Sequence, residues 1–178
     1  MSQGLTLVTG GRGFIGRRLV AALQADGVRL RVLTRSAARA SHELQGDLSD
    51  PASLAAACAG IDTVFHCAGH AHAFGALSEA DALRHRQVNF EATRALAEAA
   101  GEAGVARFVS LSSVKAMGEP LDACIDEDWP VPPESAYGKA KRAAEDALLA
   151  AAERYGMHVV SLRLAMVYGA GGRGNLER

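Results

Sequence analysis

Eight residues, Thr9-Gly10-Gly11-Arg12-Gly13-Phe14-Ile15-Gly16, stand between an apolar strand pattern and a helical one, and they leave few folds open. Glycines at 10, 13 and 16 follow the spacing of a dinucleotide-binding loop. The first permits a tight turn, the second lets backbone approach a pyrophosphate, and the third lets the following helix pack closely. The helix N-terminus then points its free N–H groups at the phosphates. A glycine triplet alone also makes an ordinary turn. Its place between the first strand and first helix of a βαβ unit is what points to a cofactor, with Gly10, Gly13, Phe14, Ile15 and Gly16 as the candidate contacts.

The rest of the chain alternates strand and helix. Leu5 to Thr9 reads as a buried strand, and Ile15, Leu19, Val20 and Leu23 recur at helical spacing until Gly27. Strands follow at Leu30 to Thr34 and, weakly marked, at Glu43 to Gly46. Asp50-Pro51 opens a helix reaching Cys58, with a cap and a proline at the first position. Thr63 to Cys67 is a strand, Asp81 to Ala103 one long helix, Arg107 to Leu111 a strand, Ser135 to Tyr155 a helix and His158 to Leu162 a strand. Short connections in this order specify an α/β fold, a Rossmann-type doubly wound parallel sheet with helices on both faces. The irregular stretch from Met117 to Glu134 carries four prolines, and a loop of that length inside a compact domain is usually functional.

Composition narrows the class. A chain of 178 residues suits one domain with a real core, which buries roughly two-thirds of the surface its unfolded form exposes. The net charge of -1, from 19 basic and 20 acidic residues, argues against nucleic acid as partner. Apolar runs are broken well before the roughly 20 residues of a membrane span, and the N-terminus lacks a secretory pattern. Cys58, Cys67 and Cys124 are odd in number and widely spaced, which fits reduced thiols in a cytoplasmic protein. His70-Ala71-His72 invites a metal reading, but no cysteine or carboxylate joins it at ligand spacing, so no metal is expected. His72 is placed to touch substrate.

The residue reading the adenosine ribose belongs at the end of the second strand, where NAD enzymes usually carry Asp or Glu. Here the stretch is Val32-Leu33-Thr34-Arg35-Ser36, and Arg12 and Arg39 add charge nearby. Arginine accommodates a 2′-phosphate, so the expected cofactor is NAD(P) with a lean toward NADP. Asp47 and Leu48, after the third strand, are candidate adenine contacts. Asp47 also suits a turn before the Asp50 cap.

Tyr137 and Lys141 lie four residues apart at the start of a helix, on one face. A lysine ammonium beside a phenol favours the phenolate and lowers the tyrosine pKa. Ser112 and Ser113 close the fifth strand at the carboxyl edge, where open α/β sheets bind ligands.

These pieces together resemble the extended short-chain dehydrogenase/reductase family, the NAD(P)-dependent nucleotide-sugar epimerases and dehydratases. The resemblance runs through the glycine loop, Gly46-Asp47-Leu48, Val64 to Gly69, Val88-Asn89, Phe108 to Ser113, Tyr137 to Lys141, and Arg163 to Gly169. Within the family the chain is most similar to UDP-sugar 4-epimerases. The resemblance implies Tyr137 as general acid/base, Lys141 as the residue that binds the nicotinamide ribose and lowers the Tyr137 pKa, and Ser113 as the hydrogen-bond partner of the reacting oxygen. Ser112, one register away, is a possible substitute for it. Ala68 and Gly69 would line the cofactor trough and Asn89 would lie beneath the site. An epimerase of this kind removes a hydride from the sugar, lets the ketone rotate and returns the hydride to the other face. The helices from Ala92 and from Ala143 form a homodimer bundle in relatives.

Departures shape the expectation. Dehydratases place an acidic pair after the residue equivalent to Ser113, where this chain has Val114 and Lys115, so dehydration is disfavoured. Leu164 stands where relatives have proline, and Met117 where they have tyrosine. Family members continue past the equivalent of Arg178 into a sugar-nucleotide portion, so residues 1–178 read as a cofactor domain carrying the catalytic residues, with the C-terminal substrate portion absent. An NADPH-dependent ketone reductase and a non-catalytic dinucleotide-binding sensor are the alternatives to the epimerase.

Overall fold

The computed structural model describes residues 4–71, 78–118 and 124–171. Six parallel strands form one sheet: β1 (Leu5–Thr9), β2 (Leu30–Thr34), β3 (Glu43–Gln45), β4 (Ile61–His66), β5 (Arg107–Ser113) and β6 (His158–Leu164). Their order is β3-β2-β1-β4-β5-β6, so the winding reverses between β1 and β4. Ligands bind outside the carboxyl ends of strands at such a switch point.

The helices are α1 (Gly16–Ala25), α2 (Pro51–Cys58), α3 (Glu79–His85), α4 (Ala92–Glu102) and α5 (Ala136–Tyr155). Right-handed crossovers put α1 on one face of the sheet and α2, α4 and α5 together on the other. Asp50 caps α2 by accepting from the N–H groups of Ala52 and Ser53, with Pro51 at its first position. Ser135 caps α5, and Gly156 ends it at φ +68°. Among the described residues no helix is long and apolar enough to cross a membrane.

The core lies between the sheet and α2, α4 and α5, where Leu7, Val64, Phe108, Leu96 and Leu148 are fully buried. Leu148→Ala is expected to cost about 2–5 kcal/mol of stability, read by chemical denaturation, because it removes a fully buried side chain from the core cluster and leaves a cavity.

The expected single helix from Asp81 to Ala103 is interrupted. Between α3 and α4 the chain forms a π-helical turn, Arg86–Glu91. The turn carries one extra residue per hydrogen-bonded ring, and such turns recur at functional sites. Here it turns Asn89 fully inward, 1% exposed.

Candidate active site

The glycine loop is built by steric exclusion. Gly10 has φ +69°, and a Cβ there would stand 2.5 Å from the Ala68 nitrogen. A Cβ on Gly16 would stand 2.2 Å from the Gly10 carbonyl oxygen. Gly16 thus allows the helix to start hard against the loop itself, a closer constraint than the sheet packing expected of it. Gly13 meets only the Gly10 carbonyl, leaving its outer side open for a ligand to approach. Among the described residues no backbone carbonyl accepts from the N–H of Phe14 or Ile15. An open glycine cradle with free N–H groups fits a dinucleotide pyrophosphate. Ala68, against Gly10, and Gly69 continue this edge.

The ribose end departs from expectation. Arg12 is not free. Its Nε and Nη2 donate to the two carboxylate oxygens of Glu43 at 3.0 and 2.7 Å, and Nη2 also donates to the Ala37 carbonyl at 2.9 Å. That guanidinium, and the N–H of Arg39, hold the Glu43 carboxyl down at about 2. Arg35 is exposed. Asp47 makes the turn: its Oδ1 accepts from the N–H and hydroxyl of Ser49 at 2.8 and 2.7 Å, which keeps its carboxyl below the usual range. Leu48 leans on the core.

At the carboxyl edge of β5, the Ser113 hydroxyl accepts from the Lys115 N–H at 3.3 Å and lies near the Tyr137 phenol. Gly138 brings them together, since a Cβ there would meet the Lys115 carbonyl at 2.5 Å and hold α5 off the 3₁₀ turn Val114–Met117. Lys141 is 8% exposed and donates to the Leu111 carbonyl at 2.8 Å, with Nζ 6.0 Å from the centre of the Tyr137 ring. Burial lowers its pKa to about 8 against the opposing pull of Glu145. The expected lowering of the Tyr137 pKa is not what this geometry gives: burial pushes the phenol up, and the nearby Ser113 hydroxyl only opposes it. Lys141 is spent on a strand carbonyl instead.

Ser112 does not substitute for Ser113. Successive strand residues face opposite sides, and Ser112 donates to Glu145 Oε1 at 2.5 Å inside the fold. Glu145, 5% exposed, is held by Arg163 at 2.8 Å, and Arg163 also donates to the Glu127 carbonyl. Glu145→Ala strands the Arg163 charge and is expected to cost about 3–5 kcal/mol, measured by urea denaturation.

Sequence reasoning missed a buried relay beneath the site. Thr93 donates to the Asn89 carbonyl at 2.9 Å, so it accepts from His66 Nε2, also at 2.9 Å. His66 Nδ1 is then the acceptor for the Thr9 hydroxyl at 2.6 Å. Burial first, and Lys141 second, push the His66 pKa down to about 3, so the ring stays neutral and its tautomer fixed. The Asn89 amide accepts from the His70 N–H and donates to the His70 carbonyl, both at 2.8 Å, fastening the chain after Gly69. His85 stands between His70 and Tyr137, its ring centre 5.4 Å from that of Tyr137. His66 reads as core from its strand position, and only the Val88-Asn89 pair signalled this cluster. His72 lies outside the described residues. Among the described residues no group of three His, Cys, Asp or Glu side chains is placed for a metal.

A glycine-loop cradle and a Ser-Tyr-Lys cluster thus stand together at the carboxyl end of one Rossmann-type parallel sheet. The chain belongs to the NAD dependent epimerase/dehydratase family, which it matches over residues 6–178. It is 33% identical over 176 residues to "UDP-glucose 4-epimerase" of Vibrio cholerae, covering 95% of this chain and 53% of that protein. It is 35% identical over 176 residues to "4-hydroxy-2-methyl-3-oxo-4-farnesyl-3,4-dihydroquinoline-1-oxide ketoreductase" of Stigmatella aurantiaca, covering 93% and 51%. Among solved structures, "MoeE5 in complex with UDP-glucuronic acid and NAD" superposes with a TM-score of 0.85 at 36% identity, covering 97% of this chain and 58% of that one. The chain spans about half the length of the curated relatives it matches.

Proposed function

We propose that residues 1–178 form the cofactor-binding and catalytic half of an NAD-dependent epimerase acting on a nucleotide sugar. The observation that carries this reading is the gathering of Ser113, Tyr137 and the buried Lys141 at the same sheet edge as the glycine loop, with Lys141 Nζ 6.0 Å from the centre of the Tyr137 ring. Gly10, Gly13, Phe14, Ile15 and Gly16 would hold the pyrophosphate, Arg35, Asp47 and Leu48 the adenosine end, and Ala68, Gly69, Tyr137 and Lys141 the nicotinamide end. A nicotinamide dinucleotide supplies reversible hydride exchange when bound. Tyr137 takes the proton of the sugar hydroxyl through its phenol oxygen and later returns it, while the Ser113 hydroxyl donates to the same substrate oxygen. Lys141 keeps a positive charge close to that oxygen, and Asn89 holds the His70 backbone that borders it. NAD is favoured over the NADP suggested by the arginines, because Arg12 is engaged by Glu43. The nucleotide sugar is supported by the named relatives, and its binding half is assigned to the remaining length they possess. A homodimer through α4 and α5, and a cytoplasmic setting for the three thiols, complete the reading.

Reduction of a ketone with NADPH is the second reading, favoured by the likeness to a ketoreductase. Incubation with NAD and UDP-glucose separates the two. An epimerase interconverts the 4-epimers, followed by proton NMR of the sugar, with no net change in absorbance of reduced cofactor. Stoichiometric NADPH consumption with a ketone, and no epimer, contradicts the proposal.

A further inference from the structure

The Arg12–Glu43 pair ties the glycine loop to the segment after β2, at the end of the sheet where an adenosine ribose is read. Glu43 opens β3, level with Val32 of β2. Both of its carboxylate oxygens are occupied: Oε1 accepts from Arg12 Nε at 3.0 Å, and Oε2 accepts from Arg12 Nη2 at 2.7 Å and from the Arg39 N–H at 2.6 Å. The Ala37 carbonyl takes a further Nη2 contact. This is the two-pronged grip that an arginine offers a phosphate, turned inward onto a carboxylate of the same chain. The carboxylate also cancels the positive charge that Arg12 would offer a phosphate dianion.

We infer that Glu43 is a specificity-determining residue: by holding Arg12 it withholds that guanidinium from a 2′-phosphate and sets the chain for NAD(H) over NADP(H). The inference rests on the dinucleotide reading above.

The test is titration calorimetry of the wild-type chain, Glu43→Gln and the double variant Arg12→Gln with Glu43→Gln, each against NAD and NADP, with circular dichroism to establish folding. Freed from its partner, Arg12 gains one charge-assisted contact to the phosphate. Glu43→Gln is therefore expected to tighten NADP by about tenfold and to leave NAD within about twofold. The NADP gain should weaken more steeply with salt than NAD binding does. In the double variant the gain disappears and NADP affinity returns to within about threefold of wild type, since a neutral pair has replaced a neutralised one. The inference is overturned if Glu43→Gln leaves the NADP-to-NAD ratio unchanged while NAD still binds. It is overturned equally if the double variant binds NADP about tenfold more weakly than wild type, because Arg12 would then already be reading the phosphate. That comparison holds even where Glu43→Gln does not fold. A folded wild type that binds neither nucleotide removes the dinucleotide reading itself, an outcome separate from a wild type that binds NAD with an unresponsive Glu43→Gln.

Discussion

Tyr137→Phe is expected to slow hydride exchange by on the order of 10³-fold while leaving the fold and NAD affinity intact. The substitution removes one oxygen and keeps the ring that meets His85 edge-on. The lost group is the phenol oxygen near Ser113 at the end of β5. Burial holds that phenol above its ordinary pKa, so it is protonated at neutral pH and needs a positive charge to become a base. Lys141, whose own pKa burial brings down to about 8, is the nearest source, yet its Nζ is engaged by the Leu111 carbonyl. Single-turnover absorbance at the reduced-cofactor band measures the loss. A Phe variant with an undiminished rate removes Tyr137 from the chemistry.

Gly16→Ala is expected to abolish dinucleotide binding, by at least about 100-fold, and to destabilise the fold by about 2–4 kcal/mol. Its added carbon would meet the Gly10 carbonyl carbon at 2.8 Å and the Gly11 Cα at 2.9 Å, in addition to the Gly10 oxygen. All three are backbone atoms, so relief requires moving the loop or the helix. Gly27→Ala is the matched control. Gly27 has φ +71° with nothing within 4 Å of an added Cβ, so the cost is conformational, about 1–2 kcal/mol, with binding preserved. Thermal melts with and without NAD distinguish the two: Gly27→Ala keeps the ligand-induced rise and Gly16→Ala loses it.

The features legible in the sequence were those with local causes. The glycine spacing, the Asp50-Pro51 cap, the Gly27 and Gly156 helix stops and the pairing of Tyr137 with Lys141 four residues on all act within a few residues of their signal. The parallel sheet with helices on both faces was legible too, from the alternation of strand and helix with short connections. What stayed hidden was the pairing of polar groups distant in sequence. Arg12 reaches Glu43 across 31 residues and Ser112 reaches Glu145 across 33, and neither partnership leaves a periodic trace. Arg12 therefore read as free charge, and Ser112 as equivalent to Ser113. The π-helical turn was hidden for a different reason. Apolar spacing on both sides of it is helical, and the single extra residue changes only which side chain faces inward. That residue is Asn89, whose amide holds the backbone at His70. His66 likewise reads as strand core, and its part in joining Thr9 to Thr93 depends on a tautomer that only the assembled network fixes.

The proposed nicotinamide dinucleotide site runs across the glycine loop, with its reactive end at Tyr137 and Lys141. Calorimetric titration of the folded chain with NADH, beside Gly16→Ala and Lys141→Met, tests it most directly. Saturable binding at one site per chain is expected, absent in Gly16→Ala and weakened by about tenfold or more in Lys141→Met. Absence of NADH binding by a wild-type chain whose circular dichroism shows the α/β fold would contradict it.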